Sequence, residues 1–311
     1  MRLTLSEDQR ALRDGVRDFL RRAWPEERIR SALDAPFDRA AWAELAELGV
    51  FDVSEGGLAL TDATVVFEEL GRTLVPGPLV ATALAGPFVA AGSIVTALDL
   101  TQRPLVEHAQ IADHIVVLGD GPALVAASTL STAPLEPLDP LTPVSLVRDV
   151  ETIAAPRSDG GRWRARAILL TAALAVGTGQ GALDLATTYA GQREQFDRVI
   201  GSFQAVKHLL ADALARVELA RAALWAAAAT LVTDDALGPE THRAVASAAL
   251  LASDAATRNG RTGVQVHGGM GFTWEVLAHL YLKRAWVLRT AFASPQRHLQ
   301  VIATALEDDA A

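Results

Sequence analysis

The sequence predicts a mainly α-helical protein with an N-terminal helical domain, a small β domain and a C-terminal four-helix bundle. Three observations lead to this prediction. Apolar residues recur at helical spacing near both ends, short β-type runs and prolines fill the middle, and few glycines interrupt the C-terminal part. We therefore divide the 311 residues into domains at 1–103, 104–166 and 167–311.

The N-terminal domain begins with a helix whose first turn follows Ser6 and is rich in acidic side chains. Serine is a good helix cap, and acids near a helix start are favoured by the helix dipole. Further helices are predicted over 38–48, 61–74 and 79–91, and the second of these ends at a Val-Pro-Gly-Pro sequence. The domain is therefore expected to be mostly helical.

The middle domain has the pattern of short strands. Residues 114–118 and 123–127 flank a tight turn at Gly119, Asp120 and Gly121, which is typical of a β-hairpin. Pro134, Pro137, Pro140 and Pro143 exclude a helix in the stretch that follows the second segment. Two more strands are predicted, at 144–153 and 163–170.

The C-terminal domain consists of long, alanine-rich helical segments joined by short connections. The predicted helices are 167–190, 202–233, 239–260 and 273–306. Long amphipathic helices with short connections favour an antiparallel bundle.

Composition excludes several classes of protein. There are 28 Lys+Arg and 37 Asp+Glu residues, a net charge of −9, which argues against nucleic-acid binding. The absence of cysteine excludes disulfides, thiolate metal sites and a cysteine nucleophile. His108 and His114 do not have a ligand spacing, so no metal site is predicted. With no signal peptide pattern and no apolar run long enough to span a membrane, we expect a cytoplasmic protein without a membrane span.

Two segments are candidate ligand sites, residues 189–208 (YAGQREQFDRVIGSFQAVKH) and residues 264–275 (VQVHGGMGFTWE). The first places Arg193 between long helices, where a guanidinium group can bind phosphate. The second places glycines just before a predicted helix start, where backbone N–H groups can approach a pyrophosphate. The alternative is that the two segments are a polar turn and a glycine corner with no ligand.

In this order and separation, the two segments resemble the C-terminal domain of the acyl-CoA dehydrogenase family. Residues 3–12 (LTLSEDQRAL) and 71–78 (GRTLVPGP) are similar to its N-terminal helical domain. The resemblance implies the family's order of helical domain, β domain and four-helix bundle. It also implies FAD-dependent desaturation of an acyl-CoA thioester between Cα and Cβ. In that reaction a carboxylate takes the α-proton and the β-hydrogen passes to the flavin as hydride.

The resemblance also implies cofactor contacts in both segments. In the family, the corresponding residues bind the pyrophosphate and adenosine of FAD held by a neighbouring subunit, which implies dimers or dimers of dimers. The implied cofactor-binding residues are Arg193, Gln195, Phe196, Ile200, Phe203, Gln265, Gly268 and Gly269. Ile200 and Phe203 are expected near the adenine.

The sequence departs from the family at the catalytic base. Counted from the glycine motif, the family's Tyr-Glu-Gly-Thr turn falls on residues 291–294, which puts Phe292 at the glutamate position. The position used by a second branch of the family falls at or near Ala167. Neither residue can take a proton, so no catalytic residue is predicted. The β domain also lacks the segments that cover the flavin ring, and it is therefore predicted to be truncated.

These departures favour a subunit that works with a base-carrying partner. The chain resembles short subunits of actinobacterial α2β2 acyl-CoA dehydrogenases, including those that act on steroid side-chain CoA thioesters. FAD is then shared with the partner, and electrons leave to an electron-transfer flavoprotein or a similar acceptor. Two alternatives remain open. One is a homomeric protein with non-redox thioester chemistry, and the other is a flavin-free structural or regulatory subunit.

Overall fold

The computed structural model describes residues 4–34, 37–54, 57–119, 121–148 and 160–308. The protein is mostly helical, at 63% of residues. The helices are α1 (Glu7–Ala23), α2 (Glu26–Ser31), α3 (Arg39–Glu47), α4 (Leu60–Arg72), α5 (Leu79–Ala85), α6 (Gly161–Gln192), α7 (Gln204–Thr233), α8 (Pro239–His267), α9 (Ala278–Leu288) and α10 (Pro295–Asp308). The strands are β1 (Val95–Asp99), β2 (Leu105–Glu107), β3 (His114–Leu118), β4 (Pro122–Ala126), β5 (Thr132–Leu135), β6 (Val144–Val147), β7 (Glu194–Gln195) and β8 (Arg198–Val199).

Side-chain caps define the start of α1, as the sequence predicts, and the start of α3. Ser6 Oγ accepts a hydrogen bond from the Gln9 backbone N–H, and the Gln9 side chain accepts one from the Ser6 N–H, both at 3.1 Å. This reciprocal pair is a capping box. Asp38 caps α3 by accepting a hydrogen bond from the Ala41 N–H at 3.0 Å.

The helix predicted over 79–91 is shorter than expected. α5 ends at Ala85, and Gly86–Phe88 forms a 3₁₀ turn. Pro87 lies in this turn and has no backbone N–H with which to continue the helix.

The β region contains two three-stranded sheets. β3 lies between β1, which runs parallel to it, and β4, which runs antiparallel and forms the predicted hairpin. The second sheet has the order β2-β6-β5 and is antiparallel. β1 begins at Val95, within the range 1–103 that we assign to the N-terminal domain. Asp120 of the predicted turn and residues 149–153 of the strand predicted at 144–153 lie outside the described residues.

Residues 163–170 do not form the predicted strand; they belong to the first turns of α6. The helical rotation separates their side chains into different environments. Arg164 pairs with Asp99 of β1, and Arg166 donates a hydrogen bond to the Val53 carbonyl at 2.6 Å. Ala167 is meanwhile fully buried in the core. In an extended chain Arg164 and Arg166 would lie on the same face, whereas about 200° of helical rotation separates them, toward Asp99 and toward Val53.

The bundle is built from α6, α7 and α8, which follow one another with short connections, and from α9 and α10. α8 continues past its predicted end to His267. Gly260 does not end the helix because it lies against α9, where an added Cβ would be 2.8 Å from the Leu282 Cα. The predicted single helix at 273–306 is wrong. It is divided into α9 and α10, and Phe292 in the connection has a φ of 61°, outside the helical region.

α6 is long and apolar enough to cross a membrane by length and composition alone. However, 78% of its most apolar 18-residue window is buried inside the protein. Its apolar side chains therefore belong to the core of the bundle, where they pack against α4, α7 and α8.

Candidate functional site

Arg193 begins a short hairpin where α6 ends. Its backbone N–H donates a hydrogen bond to the Tyr189 carbonyl at 2.8 Å and closes the last turn of the helix. β7 and β8 follow as an antiparallel pair joined by Phe196 and Asp197, with φ of 54° and 62°. Positive φ at both central residues is typical of a tight hairpin turn. The turn projects from the bundle, and Phe196 is 85% exposed.

The side chains of the hairpin are positioned by contacts with Phe203. The Phe196 ring packs edge-to-face on the Phe203 ring, with centroids 6.2 Å apart. The Arg198 guanidinium also lies over the Phe203 ring, 4.1 Å from the ring centroid. The Gln195 amide donates to the Glu194 carbonyl at 2.8 Å. The Arg193 guanidinium has no hydrogen-bond or ion-pair partner among the described residues, so its donors are available to an anion.

The glycine turn follows the end of α8. Gly268 has φ 60° and ψ −134°, and residues Gly268–Phe272 form a 3₁₀ helix. A Cβ added at Gly268 or Gly269 would meet no atom within 4 Å, so this backbone is open to a ligand. Gly271 differs, because a Cβ there would be 2.5 Å from the Val264 carbonyl oxygen. Gln265 is exposed on the last turn of α8, beside the open glycines.

The glycines do not precede a helix in the way the sequence analysis expected. α9 begins only at Ala278, so Gly268 and Gly269 lie at the C-terminal end of α8. A helix C-terminus carries partial negative charge, which disfavours an anion. Attraction for a pyrophosphate at this position must therefore come from local N–H groups and from cations such as Arg193.

The structure brings the two sequence segments together at one end of the bundle. The Tyr189 and His267 rings stack with centroids 4.2 Å apart, and Tyr189 Oη lies 3.8 Å from Met270 Sδ. Ile200 packs in the same small cluster as Val266. His267 is buried, and its Nδ1 lies 2.7 Å from the Gly263 carbonyl oxygen, so it serves packing at this junction.

The two positions assigned to the catalytic base are apolar and packed. Ala167 is fully buried in α6. The Phe292 ring lies edge-on to the Trp163 ring, 5.6 Å between centroids, and both pack against the buried side of the β1-β3-β4 sheet.

The Asp99 carboxylate is linked to the segment around Phe292 through Arg164. The sequence analysis did not single out Asp99. Arg164 contacts both the Asp99 carboxylate and the Phe292 carbonyl oxygen. Burial raises the pKa of Asp99, but hydrogen bonds from Arg164 and Thr101 outweigh it and hold the pKa below its ordinary value. Asp99 is therefore ionised and committed to Arg164. Among the described residues, no group of three or more His, Asp or Glu side chains is arranged to hold a metal ion.

Comparisons with known proteins identify relatives along the whole chain. Residues 166–307 match the family model for the acyl-CoA dehydrogenase C-terminal domain, and residues 6–95 match that for the N-terminal domain. Acyl-CoA dehydrogenase IpdE2 of Mycobacterium tuberculosis is 32% identical, with 96% of this chain and 97% of that protein aligned.

Two further proteins from the same organism differ in how they relate to this chain. Acyl-CoA dehydrogenase FadE34 is 33% identical over 91% of this chain, but the match covers only 45% of that protein. The crystal structure of the ChsE4-ChsE5 complex contains a chain that superposes with a TM-score of 0.82 at 24% identity, covering 99% of both chains. This last likeness concerns the fold.

Proposed function

The chain belongs to the acyl-CoA dehydrogenase family, and on that basis we propose that it is one subunit of a heteromeric, FAD-dependent acyl-CoA dehydrogenase. In this proposal the chain binds the pyrophosphate and adenosine of FAD across an interface, and the partner supplies the catalytic glutamate. The assembly is α2β2, the substrate is an acyl-CoA thioester, and the reaction is α,β-desaturation. Electrons leave to an electron-transfer flavoprotein or a similar acceptor.

The observation that carries the proposal is the contrast between two regions of the same chain. At the expected base positions, Phe292 and Ala167 are apolar and packed. At the end of the bundle, the Arg193 guanidinium has no partner among the described residues, and the backbone of Gly268 and Gly269 is open. This chain is thus suited to hold part of a cofactor and has no carboxylate at either base position.

The residues at the bundle end fit the polar half of FAD. Arg193 supplies positive charge, and the open glycine backbone and the Gln265 amide supply hydrogen-bond donors for a pyrophosphate. Phe196, Ile200 and Phe203 supply apolar surface for the adenine. When bound, the flavin supplies the hydride acceptor; the residues of this chain bind and orient its distal end.

The relatives support a divided enzyme in two ways. One structural neighbour that covers 99% of this chain comes from a complex named for two proteins. FadE34, by contrast, aligns over less than half of its own length. A chain of this size that corresponds to part of a larger assembly or polypeptide is consistent with a subunit whose active site is completed elsewhere.

The test is the visible spectrum of the purified chain, alone and after co-expression with a base-carrying acyl-CoA dehydrogenase from a neighbouring gene. We expect colourless protein alone, and a yellow complex with dye-linked acyl-CoA oxidation. Flavin and turnover in the lone chain would support a homomeric enzyme instead. A stable complex without flavin would support the structural or regulatory alternative.

Arg193→Ala tests the cofactor contact directly. Loss of a charge-assisted hydrogen bond to phosphate is expected to weaken FAD binding by the complex roughly tenfold. FAD titration of the apo-complex measures this, with Arg21→Ala as the control because Arg21 is a 70% exposed arginine on α1. Equal FAD affinity for the wild type and Arg193→Ala would contradict the assignment.

A further inference from the structure

The segment between α8 and α9, residues 268–277, contains the glycine turn and little other regular structure. After the 3₁₀ helix Gly268–Phe272, the described residues 273–277 form neither helix nor strand. Thr273 joins the two parts, because its backbone N–H and its hydroxyl both donate to the Met270 carbonyl, at 3.0 and 2.9 Å. The position of the glycine turn therefore depends on what holds the residues that follow it.

Arg30 of α2 holds this segment from the N-terminal domain. Its Nη1 donates a hydrogen bond to the Trp274 carbonyl oxygen at 2.7 Å, and its Nη2 donates one to the Glu275 carbonyl oxygen. No other described residue donates a hydrogen bond to either oxygen. A guanidinium group presents its donors in a rigid planar fork, so two bonds to successive carbonyls fix both the position and the orientation of this backbone.

The Arg30 side chain is itself held in place. Glu26, one turn earlier in α2, accepts hydrogen bonds from its Nε at 3.0 Å and from its Nη2 at 2.5 Å. α2 has only six residues, so its position depends on packing, and Ile29 packs in a buried cluster with Leu277 and Leu280 at the start of α9. Apolar contacts and hydrogen bonds together join α2 to the segment after the glycine turn.

The glycine turn needs this support because little packs on its first two residues. Gly268 and Gly269 have the conformational freedom of glycine, and a Cβ at either position would meet nothing within 4 Å. Only further along does the turn approach the bundle closely, at Gly271 beside the Val264 backbone. The direction of the open backbone is therefore set by the chain on either side of it, by α8 before the turn and by the segment bound to Arg30 after it.

We propose that Arg30 is a positioning residue for the FAD-binding turn. By fixing the carbonyl groups of Trp274 and Glu275, it holds the open backbone at Gly268 and Gly269 in the arrangement that binds a pyrophosphate. A site that is ordered before the ligand arrives binds more tightly, because the entropy of ordering is not lost on binding. The inference rests on the proposed function and adds that the N-terminal domain contributes to cofactor binding through the turn.

Hydrogen–deuterium exchange of the full chain measures the positioning without cofactor or partner. In Arg30→Ala, the backbone amides of residues 268–277 are expected to exchange at least about tenfold faster, because two hydrogen bonds that oppose local opening are lost. Arg22→Ala is the matched control, since Arg22 is exposed and donates only to the Asp18 carbonyl of its own helix, at 3.2 Å. Equal exchange of residues 268–277 in the wild type and Arg30→Ala would overturn the proposal.

FAD titration of the apo-complex measures the consequence for the cofactor. Arg30→Ala is expected to weaken FAD binding about tenfold, and Arg22→Ala is expected to leave it unchanged. If Arg30→Ala binds FAD as tightly as the wild type while Arg193→Ala binds it more weakly, this inference fails and the proposed function stands. Equal FAD affinity for the wild type, Arg30→Ala and Arg193→Ala would overturn the proposed cofactor contact as well.

Two further variants separate positioning from charge and from folding. Arg30→Ala leaves the Glu26 carboxylate unpaired, so the double variant Glu26→Gln/Arg30→Ala removes that charge as well. The same weakening of FAD binding in the double variant supports positioning, whereas recovery of wild-type affinity would assign the effect to repulsion by Glu26 and overturn the inference. Arg30→Lys keeps the charge without the planar fork and is expected to lie between the wild type and Arg30→Ala in both measurements. If Arg30→Ala does not fold, Arg30→Lys decides the outcome, and wild-type exchange and affinity would then overturn the inference.

Discussion

His108 combines two unusual features at the scale of a single residue. Its φ is 53°, a left-handed conformation that few non-glycine residues adopt, and its side chain is buried. Its backbone N–H donates to the Pro143 carbonyl at 2.7 Å, which ties the β2–β3 loop to the start of β6. The imidazole is therefore held in the interior by its backbone rather than by a hydrogen bond of its own.

This burial predicts a specific pH dependence of stability. The folded pKa of His108, about 3, is below the ordinary 6.5, so the unfolded chain binds more protons as the pH falls below 6.5. The free energy of unfolding should then decrease as the pH falls from about 6.5 toward 3, and the slope approaches about 1.4 kcal/mol per pH unit below about pH 5.5. Denaturant titrations of the wild type and His108→Asn measure it, since asparagine tolerates the positive φ and does not titrate. Equal slopes for the two proteins would be evidence against a buried neutral imidazole.

Phe292 is a second residue with an unfavourable backbone conformation, and the packing of its side chain offsets the cost of that conformation. Its φ is 61°, yet its ring is retained against Trp163 in the packed cluster beside β1 and β3. A bulky residue with positive φ persists only when its surroundings compensate for the strain. The compensation here is the partial burial of the aromatic ring against Trp163.

Phe292→Ala is accordingly expected to lower the free energy of unfolding by about 3 kcal/mol, because it opens a cavity next to Trp163. Phe272→Ala is the control, since Phe272 is 80% exposed, and it should change the value by less than about 0.5 kcal/mol. Chemical denaturation monitored by tryptophan fluorescence distinguishes the two. Similar losses in both variants would contradict the packing role of Phe292.

At the scale of elements, the crossing of α4 and α6 depends on two glycines. A Cβ at Gly71 would be 2.1 Å from the Leu174 carbonyl oxygen, and one at Gly177 would be 1.8 Å from the Glu68 carbonyl oxygen. The two helix backbones therefore touch. Glycine in a helix interior is usually unfavourable by up to about 1 kcal/mol, and here close packing compensates for it.

Gly71→Ala should force these helices apart and lower the free energy of unfolding by about 2–3 kcal/mol. Gly15→Ala is the opposite case, because Gly15 is exposed within α1 and an added Cβ would meet nothing within 4 Å. That variant should be more stable than the wild type by about 0.5–1 kcal/mol. Thermal unfolding of both variants measures the predicted loss of stability in Gly71→Ala and the predicted gain in Gly15→Ala. A Gly71→Ala protein as stable as the wild type would be inconsistent with this crossing.

At the scale of the whole molecule, exposed aromatic side chains gather around the proposed cofactor end of the bundle. Phe196, Phe272 and Trp274 are 85%, 80% and 59% exposed. Trp274 also makes a cation–π contact with Lys283, whose Nζ lies 4.7 Å from the ring centroid. Exposed aromatic residues next to open backbone are expected of a surface that another subunit covers.

Phe272→Asp should therefore weaken assembly with the partner by at least about tenfold and leave the stability of the lone chain unchanged. Phe88→Asp is the matched control, because Phe88 is 79% exposed but lies in the N-terminal domain. Analytical ultracentrifugation of the co-expressed complexes measures the dissociation constants. Equal dissociation constants for the two variants would show that the interface is elsewhere.

Local sequence signals determined the starts of α1 and α3, the β3–β4 hairpin and the approximate positions of α6, α7 and α8. Caps, turn residues and apolar spacing act over a few residues, so they can be interpreted without the fold. The resemblance supplied the candidate cofactor residues in the same way, as short motifs.

Tertiary packing decided the rest. The strand predicted at 163–170 became helix because Arg164 and Arg166 find partners on different segments, and 273–306 was divided where Phe292 packs on Trp163. The stacking of Tyr189 on His267, which joins the two motifs, links residues 78 positions apart in the sequence. The hydrogen bonds from Arg30 to the carbonyls of Trp274 and Glu275 likewise join residues 244 and 245 positions apart. Contacts between distant residues depend on how the elements pack, and a local sequence pattern carries no information about that packing.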